Sequence, residues 1–213
     1  MLTCPSCGTL SPPRFRVCGR CGTQLADDRP PEEIRRTVTV VTSDLKGSTE
    51  LGERLDPESL REVMTTYIDE MRGVFEGHGG TIEKIIGDAI VAVFGLPIGA
   101  EDDALRAVEA AAESQRALVN LNDRLEQRWG VRLTVRTGVA SGEVLVGDAS
   151  AGQHVLTGDV MTVATAMEQN APPQEVLLAE STRDAVAQAI QVEALSTVVP
   201  RGTQAPVGTY RLV

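Results

Sequence analysis

Aromatic residues make up only 3% of this 213-residue chain, so its core must consist mainly of Val, Ile, Leu and Ala. Long apolar runs are missing too: the longest covers residues 89–100, well short of the roughly 20 residues that cross a bilayer. The N-terminus has no apolar signal region. Lys and Arg number 20 against 30 Asp and Glu, and the net charge of −10 argues against a general nucleic-acid-binding surface. We expect a cytoplasmic protein with no membrane span, built as one ordinary domain with a small appendage.

The four cysteines form two C-x-x-C pairs near the N-terminus, Cys4 with Cys7 and Cys18 with Cys21. Thiolates at this spacing can close a tetrahedral zinc site. A segment of about 25 residues buries too little apolar surface to fold unaided, and metal binding would supply its folding free energy. We predict a zinc ribbon over residues 1–25. Two disulfides in a secreted mini-domain are the alternative, which the missing signal region disfavours.

The role of this ribbon stays open on sequence alone. Arg14, Arg16 and Arg20 make it locally basic, which allows contact with nucleic acid. A structural cap or a protein-docking element is the simpler interpretation, and we favour it. Residues 26–35 are polar and contain a Pro pair, which predicts an extended, semi-rigid linker. The main predicted domain covers residues 36–213.

The main domain begins with a strand and a long helix. Arg36–Ser43 is short and β-branched, which predicts the strand. Asp56 and Pro57 are typical of a helix N-cap and first residue, and the glycine-rich residues 77–80 end the helix. The other predicted elements are strands 81–86 and 89–94 around a Gly87-Asp88 turn, a helix 102–128, a strand 131–139, a turn at Gly142 into 143–147, a helix 158–169, a strand 175–179, a helix 181–190 and strands 192–199 and 207–212.

The first six of these elements follow the order β-α-β-β-α-β, which is that of the ferredoxin-like arrangement. In such an α+β fold, two helices pack on one face of an antiparallel sheet. We predict this core for the main domain.

Two aspartates lie where strands end. Asp44 follows the first strand in Thr-Ser-Asp-Leu-Lys-Gly-Ser-Thr, and Asp88 occupies the turn in Lys-Ile-Ile-Gly-Asp-Ala-Ile. Carboxylates on neighbouring strand ends can hold two divalent ions, roughly 3.5–4 Å apart, for an in-line displacement at phosphorus. A strand-end cap and an ordinary turn aspartate are the alternatives. Together, the pair predicts a phosphoryl-transfer site.

With these motifs placed, the chain resembles the class III nucleotidyl cyclase catalytic domain, the adenylyl and guanylyl cyclase family. The resemblance covers about residues 36–213 and implies dimerisation. In that family the active sites lie between two head-to-tail subunits, because one supplies the metal end and the other supplies the base-reading and transition-state end. Six segments in order carry the resemblance: 43–51, 78–88, 92–97, 101–107, 141–144 and 157–159.

The resemblance implies a role for each residue of the metal half. It assigns Asp44 and Asp88 to two Mg²⁺ or Mn²⁺ ions, and the carbonyl of Leu45 can add a ligand. Lys84 matches the purine-reading lysine, which favours ATP as substrate, with cAMP and pyrophosphate as products. The turn that could bind the β- and γ-phosphates through its amides comprises Lys46, Gly47, Ser48 and Thr49.

The other half of the site departs from the family pattern. A polar base-reading residue, an Asn and an Arg are expected where this chain has Val155, Thr162 and Ala166. Thr162 keeps one hydroxyl for the ribose, whereas Ala166 cannot reach the phosphate charge. Each lost transition-state donor costs about 2.7–4 kcal/mol, so a homodimer would keep on the order of 10⁻³–10⁻⁵ of normal turnover if the losses add.

Three functions fit this pattern. The first is a cyclase that is weak as a homodimer and is completed by another cyclase-like chain supplying the missing Asn and Arg. The second is a catalytically inactive, nucleotide-binding regulatory domain, and the third is a dimerising scaffold for the ribbon. The resemblance also suggests an ATPase or a helical-repeat region as a regulatory partner.

Overall fold

The computed structural model describes residues 1–12, 15, 17–25, 34–146, 156–186, 188–203 and 205–213. The chain divides into two compact units, Met1–Glu33 and Ile34–Val213. The predicted linker 26–35 lies mainly outside the described residues, and its last two residues already belong to a strand of the second unit.

The first unit is built on two short strands, β1 (Leu2–Thr3) and β2 (Leu10–Ser11), which pair antiparallel. An isolated bridge joins Val17 to Gln24 in the second half of the unit. Its small buried cluster contains Cys4, Cys18 and Leu25. With so few apolar residues, the cysteines themselves form much of its interior.

The second unit is an α+β domain, as the sequence predicts. Eight strands of its described part form one sheet in the order β4-β5-β3-β6-β8-β10-β9, with β7 paired to β6 beside that path. Neighbouring strands are antiparallel except β6 and β8. The elements are β3 (Ile34–Leu45), α1 (Ser48–Arg54), α2 (Pro57–Gly77), β4 (Thr81–Ile86), β5 (Ala89–Phe94), α3 (Asp103–Trp129), β6 (Val135–Val146), β7 (Leu156–Thr157), α4 (Val160–Asn170), β8 (Val176–Ala179), α5 (Glu180–Val186), β9 (Val192–Val198) and β10 (Val207–Leu212).

The sheet is covered on both faces. Along β3, Val41 and Leu45 face one buried cluster, which includes α2 and α3, and Val38 and Val40 face another, which includes α4. Burial on both faces explains why the central strands read as nearly continuous apolar runs instead of alternating patterns. The predicted pair of helices on one face is therefore α2 and α3, and α4 forms a third layer.

Local sequence signals set the long helices. Asp56 caps α2, because its carboxylate accepts a hydrogen bond from the Ser59 amide at 3.0 Å, and Pro57 takes the first helical position. Helix α3 ends at Gly130, whose φ of 66° is the left-handed conformation that favours glycine. The β4–β5 turn also falls where the sequence predicts it.

The prediction of a turn at Gly142 is wrong. Strand β6 runs unbroken from Val135 to Val146. A Cβ at Gly142 would lie 3.2 Å from the Cβ of Val160, so the glycine admits α4 close to the sheet and does not turn the chain. Two other differences are that residues 131–134 are not a strand and that α5 ends at Val186.

Candidate metal and nucleotide site

Asp44 is the second-last residue of β3, in the centre of the sheet, and its side chain is half-buried. It lies opposite Arg136 of β6 in the strand register. Its carboxylate accepts a hydrogen bond from Arg136, whose Nη2 lies 3.2 Å from Asp44 Oδ2. The strand therefore positions a carboxylate at the end of the sheet where β3 leads into α1.

Asp88 occupies the second position of a two-residue turn, since Ile86 and Ala89 pair across the β4–β5 hairpin. Gly87 has a φ of 64°, whereas Asp88 is not among the residues with positive φ. A positive φ at the first turn position alone is the pattern of a type II′ turn. Because β5 pairs with β3, this turn brings Asp88 to the same end of the sheet as Asp44.

The charge of Asp88 is close enough to act on the ionisation of Asp44. Burial raises the pKa of Asp44, and the negative charge of Asp88 raises it further, against the opposing effect of Arg136. A divalent cation would relieve this repulsion, and carboxylate oxygens are the ligands that Mg²⁺ and Mn²⁺ prefer. The donor chemistry therefore fits the predicted metal pair.

Two charged residues of this region were missed in the sequence. The Arg136 guanidinium lies between two carboxylates, because Nη2 is also 2.8 Å from Oε1 of Glu168. Burial raises the pKa of Glu168 to about 7, while Arg136 opposes the shift and the charges of Asp44 and Asp88 add to it. A signal was available: Arg136 interrupts an apolar strand, and Glu168 is the single charged residue of α4.

A tyrosine beneath the carboxylates was also missed. The Tyr67 hydroxyl of α2 is buried, which raises its pKa, and Asp44 and Asp88 act in the same direction. Ser43 lies near enough to favour the ionised form, yet the hydroxyl has no partner of standard hydrogen-bond geometry in the described part of the chain. In the sequence, Tyr67 is one of the apolar positions that repeat at helical spacing, so the periodicity predicts only a core residue.

The predicted phosphate-binding turn leads from β3 into α1. Gly47 has a φ of 81° and is the N-cap residue of α1. Ser48 and Thr49 are the first two residues of that helix. The amide of Lys46 donates to the Thr134 carbonyl at 2.8 Å, so it is already used within the chain. Of the four predicted amides, those after Lys46 fall at the helix start, where first-turn N–H groups have no partner within their own helix.

Lys84 is exposed on β4, which is an edge strand of the sheet. A register irregularity lies beside it, between Ile82 and Lys84. An exposed side chain on an edge strand is accessible to a ligand held by a neighbouring subunit.

The predicted transition-state positions lie on α4. Thr162 is partly exposed, whereas Ala166 is only 6% exposed and belongs to the buried cluster on that face of the sheet. Val155 lies outside the described residues. The structure thus brings Asp44 and Asp88 together in one chain and puts Thr162 and Ala166 on a different element, the helix that Glu168 ties to Arg136.

The four cysteines of the first unit converge. Their Sγ atoms all lie within 4.8 Å of one another, with Cys4 to Cys21 at 3.5 Å and Cys7 to Cys18 at 3.6 Å, and all four thiols are free. Four sulfurs bound to one zinc at about 2.3 Å would lie about 3.8 Å apart. Hydrogen bonds from the Thr23 hydroxyl and amide lower the pKa of Cys21 to about 6, which favours the thiolate that a metal binds.

The two halves of this cysteine cluster are built alike. The Gly8 amide donates to the Cys4 carbonyl and the Gly22 amide to the Cys18 carbonyl, both at 2.9 Å. Each glycine has a positive φ, 69° and 72°. The cluster is therefore able to bind a metal ion.

The comparison with known proteins concerns the second unit of the chain. Residues 31–213 match the family model described as the adenylate and guanylate cyclase catalytic domain. The chain belongs to this family. It shares 28% identity and a TM-score of 0.80 with the adenylyl cyclase CyaB of P. aeruginosa, over 85% of this chain and 96% of that one. With the guanylyl cyclase Cya2 it shares 32% identity and a TM-score of 0.79, over 84% and 93%.

Among curated sequences, the soluble guanylate cyclase gcy-31 of Caenorhabditis elegans is 27% identical over 155 residues, which is 70% of this chain and 21% of that protein. The chain spans between about a sixth and about a quarter of the length of the first curated relatives that it matches. Catalytic domains of this family bind nucleoside triphosphates, use divalent metal ions and function as dimers. No helix in the described ranges of this cyclase domain is long and apolar enough to cross a membrane.

Proposed function

We propose that this cyclase domain binds a metal–nucleoside triphosphate, with ATP favoured, and converts it to cAMP and pyrophosphate in signal transduction, weakly as a homodimer. The observation that supports this most is the meeting of Asp44 and Asp88 at one end of the sheet, where burial and the charge of Asp88 raise the pKa of Asp44. Two Mg²⁺ or Mn²⁺ ions held there would activate the 3′-hydroxyl and neutralise charge on the α-phosphate.

The chain's own groups have distinct tasks in this proposal. The carbonyl of Leu45 supports the metal pair, and the start of α1 from Gly47 to Thr49 binds the terminal phosphates. Arg136 pairs with Asp44 before the metal binds, and its guanidinium then supplies a positive charge beside the triphosphate. A guanidinium suits phosphate oxygens because its donors form a planar fork. Lys84 of the second subunit donates to the purine ring.

A catalytically inactive, nucleotide-binding regulatory domain is the second candidate. It is favoured by Ala166, which is nearly buried and carries no charge to stabilise the migrating phosphoryl group. Thr162 retains one hydroxyl where an amide is expected. For a cyclase, a partner chain that supplies the missing Asn and Arg would restore turnover. Cyclic-nucleotide production with such a partner therefore separates the two candidates.

For the first unit we propose a structural zinc ribbon over residues 1–25, held by the four cysteines. Its support is the convergence of the sulfurs and the free thiols. We favour a cap or protein-docking role for it. Of the three arginines that would serve nucleic-acid contact, Arg14 and Arg16 lie outside the described residues.

Calorimetric titration with ATP and with GTP, with and without Mn²⁺, tests the proposal, combined with chromatographic detection of cyclic nucleotide. We expect Mn²⁺-dependent binding, tighter for ATP, with trace product. Asp88→Asn should abolish the binding. Asp123→Asn, an exposed acid of α3, is the matched control and should bind as the wild type does. Binding that ignores Mn²⁺ or survives Asp88→Asn would refute the metal assignment.

A further inference from the structure

One guanidinium joins the proposed metal ligand to helix α4, which packs on one face of the sheet. Arg136 Nη2 lies 3.2 Å from Asp44 Oδ2 and 2.8 Å from Glu168 Oε1. Its Nη1 lies 3.4 Å from the main-chain carbonyl of Gln169, which follows Glu168 on α4. The chain of contacts therefore runs from β3 through β6 to α4.

Glu168 is an unusual member of this chain because it is almost completely buried, with 4% of its surface exposed. Its Oε1 has a charged neighbour at ion-pair distance but no hydrogen bond of standard geometry among the described residues. Burying a carboxylate costs desolvation free energy, which an ion pair without further hydrogen bonds does not fully offset. A buried charge in an otherwise uncharged helix points to a role beyond packing.

The backbone fixes the position of Glu168 relative to the sheet. A Cβ at Gly138 would lie 2.2 Å from both the Ala164 carbonyl oxygen and the Glu168 amide nitrogen. Helix α4 and strand β6 are thus in direct backbone contact at the residue that carries the carboxylate. The main chain of Glu168 is therefore held close to the strand that carries Arg136.

We propose that Glu168 is a positioning residue of the metal centre: it holds the Arg136 guanidinium on the α4 side of Asp44 and keeps the Asp44 carboxylate available to a divalent cation. This rests on the proposed assignment of Asp44 and Asp88 to metal binding. Without the second carboxylate, Arg136 would pair with Asp44 alone, and a full positive charge would compete with the incoming ion for Oδ2.

The competition sets the direction of the effect. Glu168→Gln keeps the size and an acceptor oxygen but removes one negative charge from the surroundings of the metal ligands. Groups that orient or balance metal ligands from behind typically contribute 10- to 100-fold to metal affinity. We expect Glu168→Gln to weaken Mn²⁺ binding about tenfold, the lower end, because Asp44 itself is intact.

The test is a Mn²⁺ titration followed by electron paramagnetic resonance of the free ion, in the presence of 3′-deoxy-ATP, which lacks the attacking hydroxyl. The full zinc-loaded chain is used, in mildly alkaline buffer, so that Glu168 is ionised. Glu175→Gln is the matched control, since Glu175 has a buried oxygen without a hydrogen-bond partner in the described part of the chain and pairs with Arg211 in place of Arg136. Asp88→Asn reports the metal site itself.

The outcomes separate the two proposals. Wild-type affinity in Glu175→Gln with about tenfold weaker binding in Glu168→Gln supports the positioning role. If Glu168→Gln binds Mn²⁺ with wild-type affinity while Asp88→Asn does not bind it, the positioning role is overturned and the metal assignment is retained. Absence of Mn²⁺ binding in the wild type overturns the metal assignment itself.

Thermal unfolding without metal checks that each variant folds. If Glu168→Gln does not fold, Glu168→Asp carries the test, because it keeps the charge but withdraws it from Arg136. We then expect a weakening of less than about tenfold, because the negative charge is kept but lies farther from Arg136. Affinity equal to the wild type in a folded Glu168→Asp protein would overturn the proposal.

Discussion

Asp44 and Arg136 are register partners on the two central strands β3 and β6, and Arg136 Nη2 lies 3.2 Å from Asp44 Oδ2. The carboxylate thus has an internal cation before any metal arrives. Its pKa is nevertheless raised, because burial and the nearby Asp88 outweigh the guanidinium. The site therefore has an excess of negative charge that a divalent cation would compensate.

The pH dependence of stability should reveal Glu168. Its folded pKa of about 7 lies above the ordinary value of 4.5, so the folded state binds the proton more tightly than the unfolded state. This contribution is fully present below pH 4.5 and is lost as the pH rises through 7. In metal-free protein, the free energy of unfolding should fall over this window by at most about 3 kcal/mol.

Urea unfolding across this pH window measures the effect, and Glu168→Gln is the comparison. The variant lacks the titrating group, so its stability should change less with pH than that of the wild type. Asp44 contributes in the same direction at lower pH. Identical pH slopes in the two proteins would show that Glu168 does not titrate as described.

Gly138 should be intolerant of any side chain. Gly138→Ala would drive a methyl group into the α4 backbone at 2.2 Å, so helix and strand must separate. We expect a loss of about 2–4 kcal/mol in the free energy of unfolding, since neither partner is a flexible side chain. Metal affinity should fall as well, because Glu168 moves with the helix.

Gly73→Ala is the matched control, measured by the same urea unfolding. Gly73 lies within α2, and a Cβ there would meet nothing within 4 Å. The substitution should stabilise the protein by about 0.5–1 kcal/mol, as alanine favours helix. A Gly138→Ala protein as stable as the control would contradict the close approach of α4 to β6.

Asn122 should be a large contributor to stability. Its side chain is buried and makes two hydrogen bonds to Leu133, donating to the carbonyl at 2.9 Å and accepting from the amide at 2.7 Å. Asn122→Ala leaves both main-chain groups unpaired in the interior, which should cost about 2–4 kcal/mol. Asn120→Ala, at an exposed position of the same helix, should stay within about 0.5 kcal/mol of the wild type in chemical denaturation. Equal losses of stability in the two variants would argue against the paired hydrogen bonds between Asn122 and Leu133.

The cysteine cluster should bind zinc in place of disulfides. Elemental analysis should find about one zinc per chain, and chelation should expose the first unit to trypsin while residues 34–213 stay resistant, because the small unit depends on metal for its folding. Cys18→Ser should have the same effect without chelator. Thiol titration that finds no reactive cysteines in metal-free protein would indicate disulfides.

The fold was largely predictable because its signals are local. The β4–β5 hairpin follows from Gly87 and Asp88 between two apolar runs, and α2 follows from Asp56 and Pro57. Gly142 shows the limit: a glycine within a strand reads as a turn, but here it makes room for Val160 of a helix distant in sequence. Helix α1 was missed because it is seven residues long and has no capping side chain.

The candidate site was predictable only where residues stand in distinctive motifs. Asp44 and Asp88 do, and the structure brings them to one end of the sheet. Arg136 and Glu168 matter through a contact between β6 and α4 that periodicity does not reveal. The near burial of Ala166 likewise depends on how α4 packs, which no local pattern encodes.

The most direct measurement is single-turnover conversion of Mn²⁺–ATP to cAMP by the wild type and by Thr162→Asn/Ala166→Arg. Because the double variant restores two transition-state donors, we predict trace product from the wild type and at least about a 100-fold faster reaction from the variant. Thr162→Asn alone adds no volume at the buried position and should give an intermediate rate. Rapid turnover by the wild type, with no gain in either folded variant, would contradict the account of an intact metal half and a depleted transition-state half.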